Sequence, residues 1–379
     1  MLRIAQALSS IYIVVALGLL AFSIRPAPEP VTISVVYGTE KREWLEDAAA
    51  RFAATNPTVN GRQVIVELEG LGSRDMTLDI LQGNLQPTVI SPASSIHTRF
   101  LRDEWRTRTG EDILLEGNNV PPLVITPLVV VAWEERANAL WPDGINPDTF
   151  WDDIHAALVD PQGWAAYGHP EWGFIKFGHT RPIQSNSGIQ TIVLLAYAFH
   201  DKVRNLETAD ILDPQFQEWL VEIENGVLEF GDSTGTYMNE MVLFGPSKYD
   251  FIVVYENLAI ENFDEAAGRW GSLRVFYPPA NILSDHPYAI LNAEWVTEDQ
   301  RAAAALFRDF LLSEEVQHLA LVEHGFRPGN VAVSININGN PFEEYQDAGI
   351  QLDIVQSVEA PPAEVLNELI ELWRRRINR

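Results

Sequence analysis

Between His179 and Gly188 the chain reads His-Thr-Arg-Pro-Ile-Gln-Ser-Asn-Ser-Gly, and an almost wholly apolar run follows from Ile189 to Phe199. Hydroxyl and amide side chains stand where a helix begins, and the first N–H groups of a helix have no partner within it. Aligned peptide dipoles leave that end partly positive. Ser185, Asn186 and Ser187 can cap it, and Gly188 allows close approach to the backbone. Such an end suits an anion or a hydroxyl-rich ligand; an ordinary capped helix is the alternative.

Similar Ser, Thr and Gly clusters recur at Gly38-Thr39, at Gly70-Leu71-Gly72-Ser73 and at Ser91 to Ser95. Each has a structural reading beside the functional one. Thr39 can donate to a ligand or cap the helix opening at Glu40, and one of Ser91, Ser94 and Ser95 should cap the next helix. Arg74 can meet an anion or pair with Asp75 or Asp79. Tyr255 ends an apolar strand, where its hydroxyl reaches a cleft edge or is simply buried. Glu256 behind it suits the first turn of a helix.

The 379 residues suggest two domains, and 46% hydrophobic residues suffice for globular cores. A formal charge of -27 argues against a nucleic-acid partner, which needs a basic surface. Without cysteine there is no disulfide, thiolate metal site, Cys nucleophile or lipobox. The eight histidines show no H-E-x-x-H, and neither G-x-S-x-G nor a Walker A sequence occurs. No metal, cofactor or catalytic residue is therefore expected. Eleven Trp keep a ring-stacking ligand such as a sugar in play.

Ile4 to Ile24 is apolar or small apart from Gln6, Ser9, Ser10 and Ser23, with Arg3 before it. That length can cross a bilayer, and the positive end kept inside places the rest outside the cytoplasm. Residues 1–25 read as an uncleaved transmembrane anchor and 26–30 as a Pro-rich spacer; a cleaved signal peptide is the alternative.

Strand, loop and helix then alternate three times: Val31–Tyr37, Val64–Leu68 and Thr88–Ile90, each leading into one of the Ser/Thr/Gly loops. This is the pattern of a parallel sheet covered by helices, whose ligands sit at the carboxyl ends of the strands. Pro121 to Trp133 reads as a long strand leaving the first unit. Trp172–Phe177, Phe251–Tyr255 and Leu273–Tyr277 read as strands of the second, and Pro287–Leu291 as a crossing back. Thr297 to Gln300 is a capping box, and a final amphipathic helix spans about Pro362 to Arg376.

In this order the pieces resemble the extracytoplasmic solute-binding proteins of ABC transporters. The likeness rests on Tyr37-Gly38-Thr39-Glu40-Lys41 with Trp44-Leu45, Pro127 to Ala132, Tyr249 to Glu256, and His286 to Ile290 with Phe307–Glu315 and Gly325–Pro328. The closest subgroup includes molybdate- and sulfate-type binders. The resemblance implies an α/β fold of two Rossmann-like lobes joined by hinge strands. Residues 31–127 and 285–379, with the C-terminal helix, would form lobe 1, and 128–284 lobe 2. Thr39, Ser73 and Ser94 would face Ser185, Ser187 and Tyr255 across the cleft. The expected function is capture of a small solute, an oxyanion by preference or a sugar, for an ABC permease, without chemistry. A surface-displayed interaction module and, remotely, an exported hydrolase are the alternatives.

Overall fold

The computed structural model describes residues 28–117, 119–354 and 356–377. The anchor expected at 1–25 lies outside them. Among the described residues no helix is long and apolar enough to cross a membrane.

Two sheets organise the chain. In the first, β1 (Val31–Gly38) lies between β3 (Arg62–Leu71) and β4 (Val89–Ser91) and is parallel to both, with Val35 opposite Leu68 and Val89. Val31, Ile33, Val35 and Val36 are all nearly inaccessible, as a central parallel strand covered on both faces requires. β2 (Thr58–Val59) and β10 (Ala289–Ile290) are the antiparallel edges, giving the order β10-β4-β1-β3-β2. The helices α1 (Arg42–Ala54), α2 (Ser73–Gln82) and α3 (Ser95–Thr109) follow strands β1, β3 and β4, so the expected alternation holds. Trp44, Leu45, Ala48 and Phe52 form the buried stripe of α1. Phe52 meets Phe307 of α11 (Glu298–Leu311) at 5.0 Å, and α12 (Glu314–Val322) joins the same core.

The second sheet runs β11-β5-β7-β6, from β5 (Val124–Trp133), β6 (Phe177–Gly178), β7 (Phe251–Tyr255) and β11 (Arg327–Pro328). β8 (Leu273–Phe276) and β9 (Leu283–Ser284) also pair with β5. Around it pack α4 (Glu134–Leu140), α5 (Phe150–Val159), α6 (Asn186–Phe199), α7 (Thr208–Ile211), α8 (Pro214–Asn225), α9 (Thr234–Phe244) and α10 (Glu256–Arg269). The strand expected over Trp172–Phe177 reduces to β6. A tight turn at Pro170–Trp172 and Gly173 at φ 72° break it, and Asp250 Oδ2 rather than a strand accepts from Lys176 N at 2.8 Å.

β5 links the two cores: Leu123 and Val124 belong to the first, Leu128 to Trp133 to the second. The return runs beside it, with Ser284 opposite Thr126 and Pro287 opposite Pro122. After β11 the chain passes through α13 (Pro341–Glu344) to α14 (Ala363–Arg376). The C-terminal helix does not join the first core, where it was expected. Val365, Leu369, Ile370 and Trp373 are buried in the cluster that holds β5 and β7, because these four line one side of an amphipathic helix that α6 and α7 cover.

Candidate functional site

The first turn of α6 is built as its sequence requires. A Cβ on Gly188 would stand 2.2 Å from Thr180 O, so only glycine lets the loop fold back over the helix start. Ser185 is the N-cap, yet its hydroxyl makes no capping bond. It lies 3.4 Å from Ser187 Oγ and 3.3 Å from Thr234 Oγ1, in the first turn of α9. Ser187 Oγ in turn lies 2.6 Å from Thr180 Oγ1 and 2.7 Å from Thr234 Oγ1. Four hydroxyls are thus buried together where two helices begin. Among the described residues the hydrogen-bond partners of both serine hydroxyls are other hydroxyls.

Lobe 1 closes on this cluster. Gly235 N donates to Thr39 Oγ1 at 3.2 Å, and Arg74 N donates to Gln184 O at 3.0 Å. Asn257 Nδ2 donates to Glu40 O at 3.0 Å. Asn186 Nδ2 donates to Tyr255 OH at 2.8 Å while its Oδ1 accepts from His97 Nε2 at 3.0 Å. Glycine is again required: a Cβ on Gly72 would meet Gln184 O at 2.8 Å.

Of the six candidates, Thr39, Ser185, Ser187 and Tyr255 come together at this seam. Tyr255 is fully buried rather than at a cleft edge, and burial pushes its hydroxyl pKa up. Ser73 Oγ accepts from Ala93 N at 2.9 Å, tying two lobe 1 loops together. Ser94 caps α3, accepting from Ile96 N. Arg74 forms no pair with Asp75 or Asp79; its guanidinium stands over Phe100 instead. His179 is a structural anchor, its Nε2 donating to Glu224 Oε1 at 2.9 Å. Trp44, Trp133, Trp141, Trp151, Trp164 and Trp373 are buried in the cores and offer the seam no stacking face.

Three charged or titratable groups at the seam were missed. Lys41, one of four lysines, is wholly buried, with Nζ 2.6 Å from Glu40 Oε1 and 3.1 Å from His286 Nδ1. Burial lowers the Lys41 pKa, and burial followed by the Lys41 charge holds His286 at about 4. Burial would raise Glu40, but the Lys41 ammonium and the His286 ring hold it at about 2. A lysinium, a carboxylate and a neutral imidazole leave the seam almost uncharged. His286 sits on the return crossing at φ 36°, a strained conformation for a residue other than glycine. Thr234 had a signal: like 185–188, Ser233-Thr234-Gly235-Thr236 sets hydroxyls and a glycine where a helix begins.

Two α/β lobes, joined by paired crossings and shut on a polar seam, define a two-lobed binding protein. The chain belongs to the bacterial extracellular solute-binding protein family, whose model matches residues 33–327. No curated protein matches it. The fold is that of the sulfate-binding protein SubI from Mycobacterium tuberculosis H37Rv, at 18% identity and TM-score 0.56 over 86% of this chain and 93% of that one. It is equally that of a periplasmic thiamin binding protein, at 11% identity and TM-score 0.62 over 93% and 100%. The periplasmic binding protein AfuA from Actinobacillus pleuropneumoniae, with fructose-6-phosphate bound, matches at 14% identity and TM-score 0.61 over 92% and 98%.

Proposed function

We propose that this chain captures an oxyanion between its lobes, 31–127 with 285–328 and 128–284 with the C-terminal helix, and presents it to an ABC permease. Thr39, Ser73, Ser94, Ser185, Ser187 and Tyr255 would offer the donors. The observation that carries the reading is the buried cluster of Thr180, Ser185, Ser187 and Thr234 at the first turns of α6 and α9, against which α2 closes. Neutral donors at helix starts hold an anion without a counter-charge, and closure removes competing water. The strongly acidic chain gives such an anion no steering, so affinity must come from these short-range bonds. The apolar segment 4–24 would keep the protein at the outer face of the membrane.

A thermal-shift screen with sulfate, molybdate and phosphate tests this, with glucose as the neutral comparison. An anion at 100 times its dissociation constant adds about 2.7 kcal/mol of stability. Ser187→Ala should weaken its binding by about 1–3 kcal/mol, the cost of one lost donor. Failure of every anion to shift the transition would refute the oxyanion reading.

A further inference from the structure

A groove of about 320 Å³ opens at the edge of the seam, between α3 and the segment leading into α14. Arg74 stands at one side, with its guanidinium 5.2 Å from the Phe100 ring centre. Its Nε is buried without a hydrogen-bond partner, and Arg74 makes no ion pair among the described residues. In a chain with 53 acidic and 26 basic side chains, a half-buried cation with no acid in ion-pair contact is a specific arrangement. Burial, and next the Arg374 charge, lower the Arg74 pKa against the opposing pull of Asp75 and Glu371. Arg99, also on the groove, turns its guanidinium to Ser95 and not to a carboxylate. The acids of the same wall are engaged elsewhere, Asp103 with Arg102 and Glu104 with Arg108.

The opposite wall is apolar: Ile189 from lobe 2, with Pro361 and Leu366 from the C-terminal segment. Residues 360–367 of this wall lie outside the stretch 33–327 matched by the family model, whereas Ile189 lies within it. We propose that the groove is a second ligand site, taking an organic anion whose carboxylate or phosphate head meets Arg74 while its apolar body lies against Phe100, Ile189, Pro361 and Leu366. Such a ligand touches both lobes and therefore favours the closed form over the open one. The C-terminal segment then has a role, completing the site by bringing α14 opposite α3.

Isothermal titration of the full chain with phenyl phosphate and benzoate tests the site, with benzylamine as the cationic comparison. At least one anion should bind, and benzylamine should not. Arg74→Gln should weaken that binding tenfold or more. Ala363→Trp, an exposed substitution on the groove wall, should weaken it comparably without lowering the melting temperature. Ser187→Ala should leave it unchanged, which separates this groove from the seam. The proposal is overturned if neither anion binds, if Arg74→Gln binds as well as the parent, or if Ser187→Ala alone abolishes binding.

Discussion

His97 of lobe 1 donates through Nε2 to Asn186 Oδ1 of lobe 2 at 3.0 Å, and both residues are at most 1% exposed. Burial holds the His97 pKa at about 3, so the ring is neutral and carries its proton on the nitrogen facing Asn186. The same amide donates to Tyr255 OH, which joins this latch to the end of β7.

His97→Ala leaves Asn186 Oδ1 buried and unpaired, at a cost of about 1–3 kcal/mol to the closed form. The radius of gyration in solution scattering should rise, and His97→Gln should restore part of the loss. An unchanged radius in His97→Ala would show that this contact does not hold the lobes together.

Gly235→Ala places a Cβ 2.5 Å from Thr39 O across the seam. The two lobes should fold as before but stand apart, with weaker binding of any seam ligand and faster exchange of the amide at position 235. Parent-like affinity and exchange would mean that the seam yields at this point.

Acid should destabilise the protein through buried imidazoles. His97 at about 3 and His286 at about 4 lie below the ordinary 6.5. Their stabilisation is complete above about pH 6.5 and is lost as pH falls through the folded values. Glu40, held at about 2 against an ordinary 4.5, adds a loss in the same direction at lower pH. Burial pushes Glu261 up to about 7 and Asp75 up to about 6, and their penalty grows as pH rises through those values. The two effects oppose one another between about pH 4.5 and 6.5, and only the acid losses remain below about pH 4. His286→Gln should flatten the dependence of melting temperature on pH between about 6.5 and 4. Parallel curves for parent and variant would contradict the assignment.

Trp373 Nε1 donates to Glu224 Oε2 at 2.6 Å, and Glu224 Oε1 accepts from His179, next to Thr180. Trp373→Phe strands a buried carboxylate oxygen and should cost about 1–3 kcal/mol in a urea transition. No change would show that α14 is not tied to the site loop through Glu224.

Much of the local framework was legible. Apolar runs placed β1, β5 and β7, and the capping box at Thr297 marked the start of α11. Ser185 and Ser187 announced themselves as hydroxyls at a helix start, because caps and helical period are properties of neighbours in the chain. The short β6 was less legible, since Asp250, 74 positions from Lys176, satisfies a backbone group that a strand would otherwise have used.

Partners across the seam are another matter. Thr39 meets Gly235 and His97 meets Asn186 across the seam, and Lys41 meets His286 on the return crossing, only because β5 and the return through Ser284 run side by side, setting the lobes in one register. Nothing in the residues around Lys41 says whether its charge meets water, a ligand or an imidazole 245 positions away. The apolar face of α14 could be read from its spacing; which core would receive it could not. A stripe records that burial is needed, and only the shape of the assembled lobes selects the surface that supplies it.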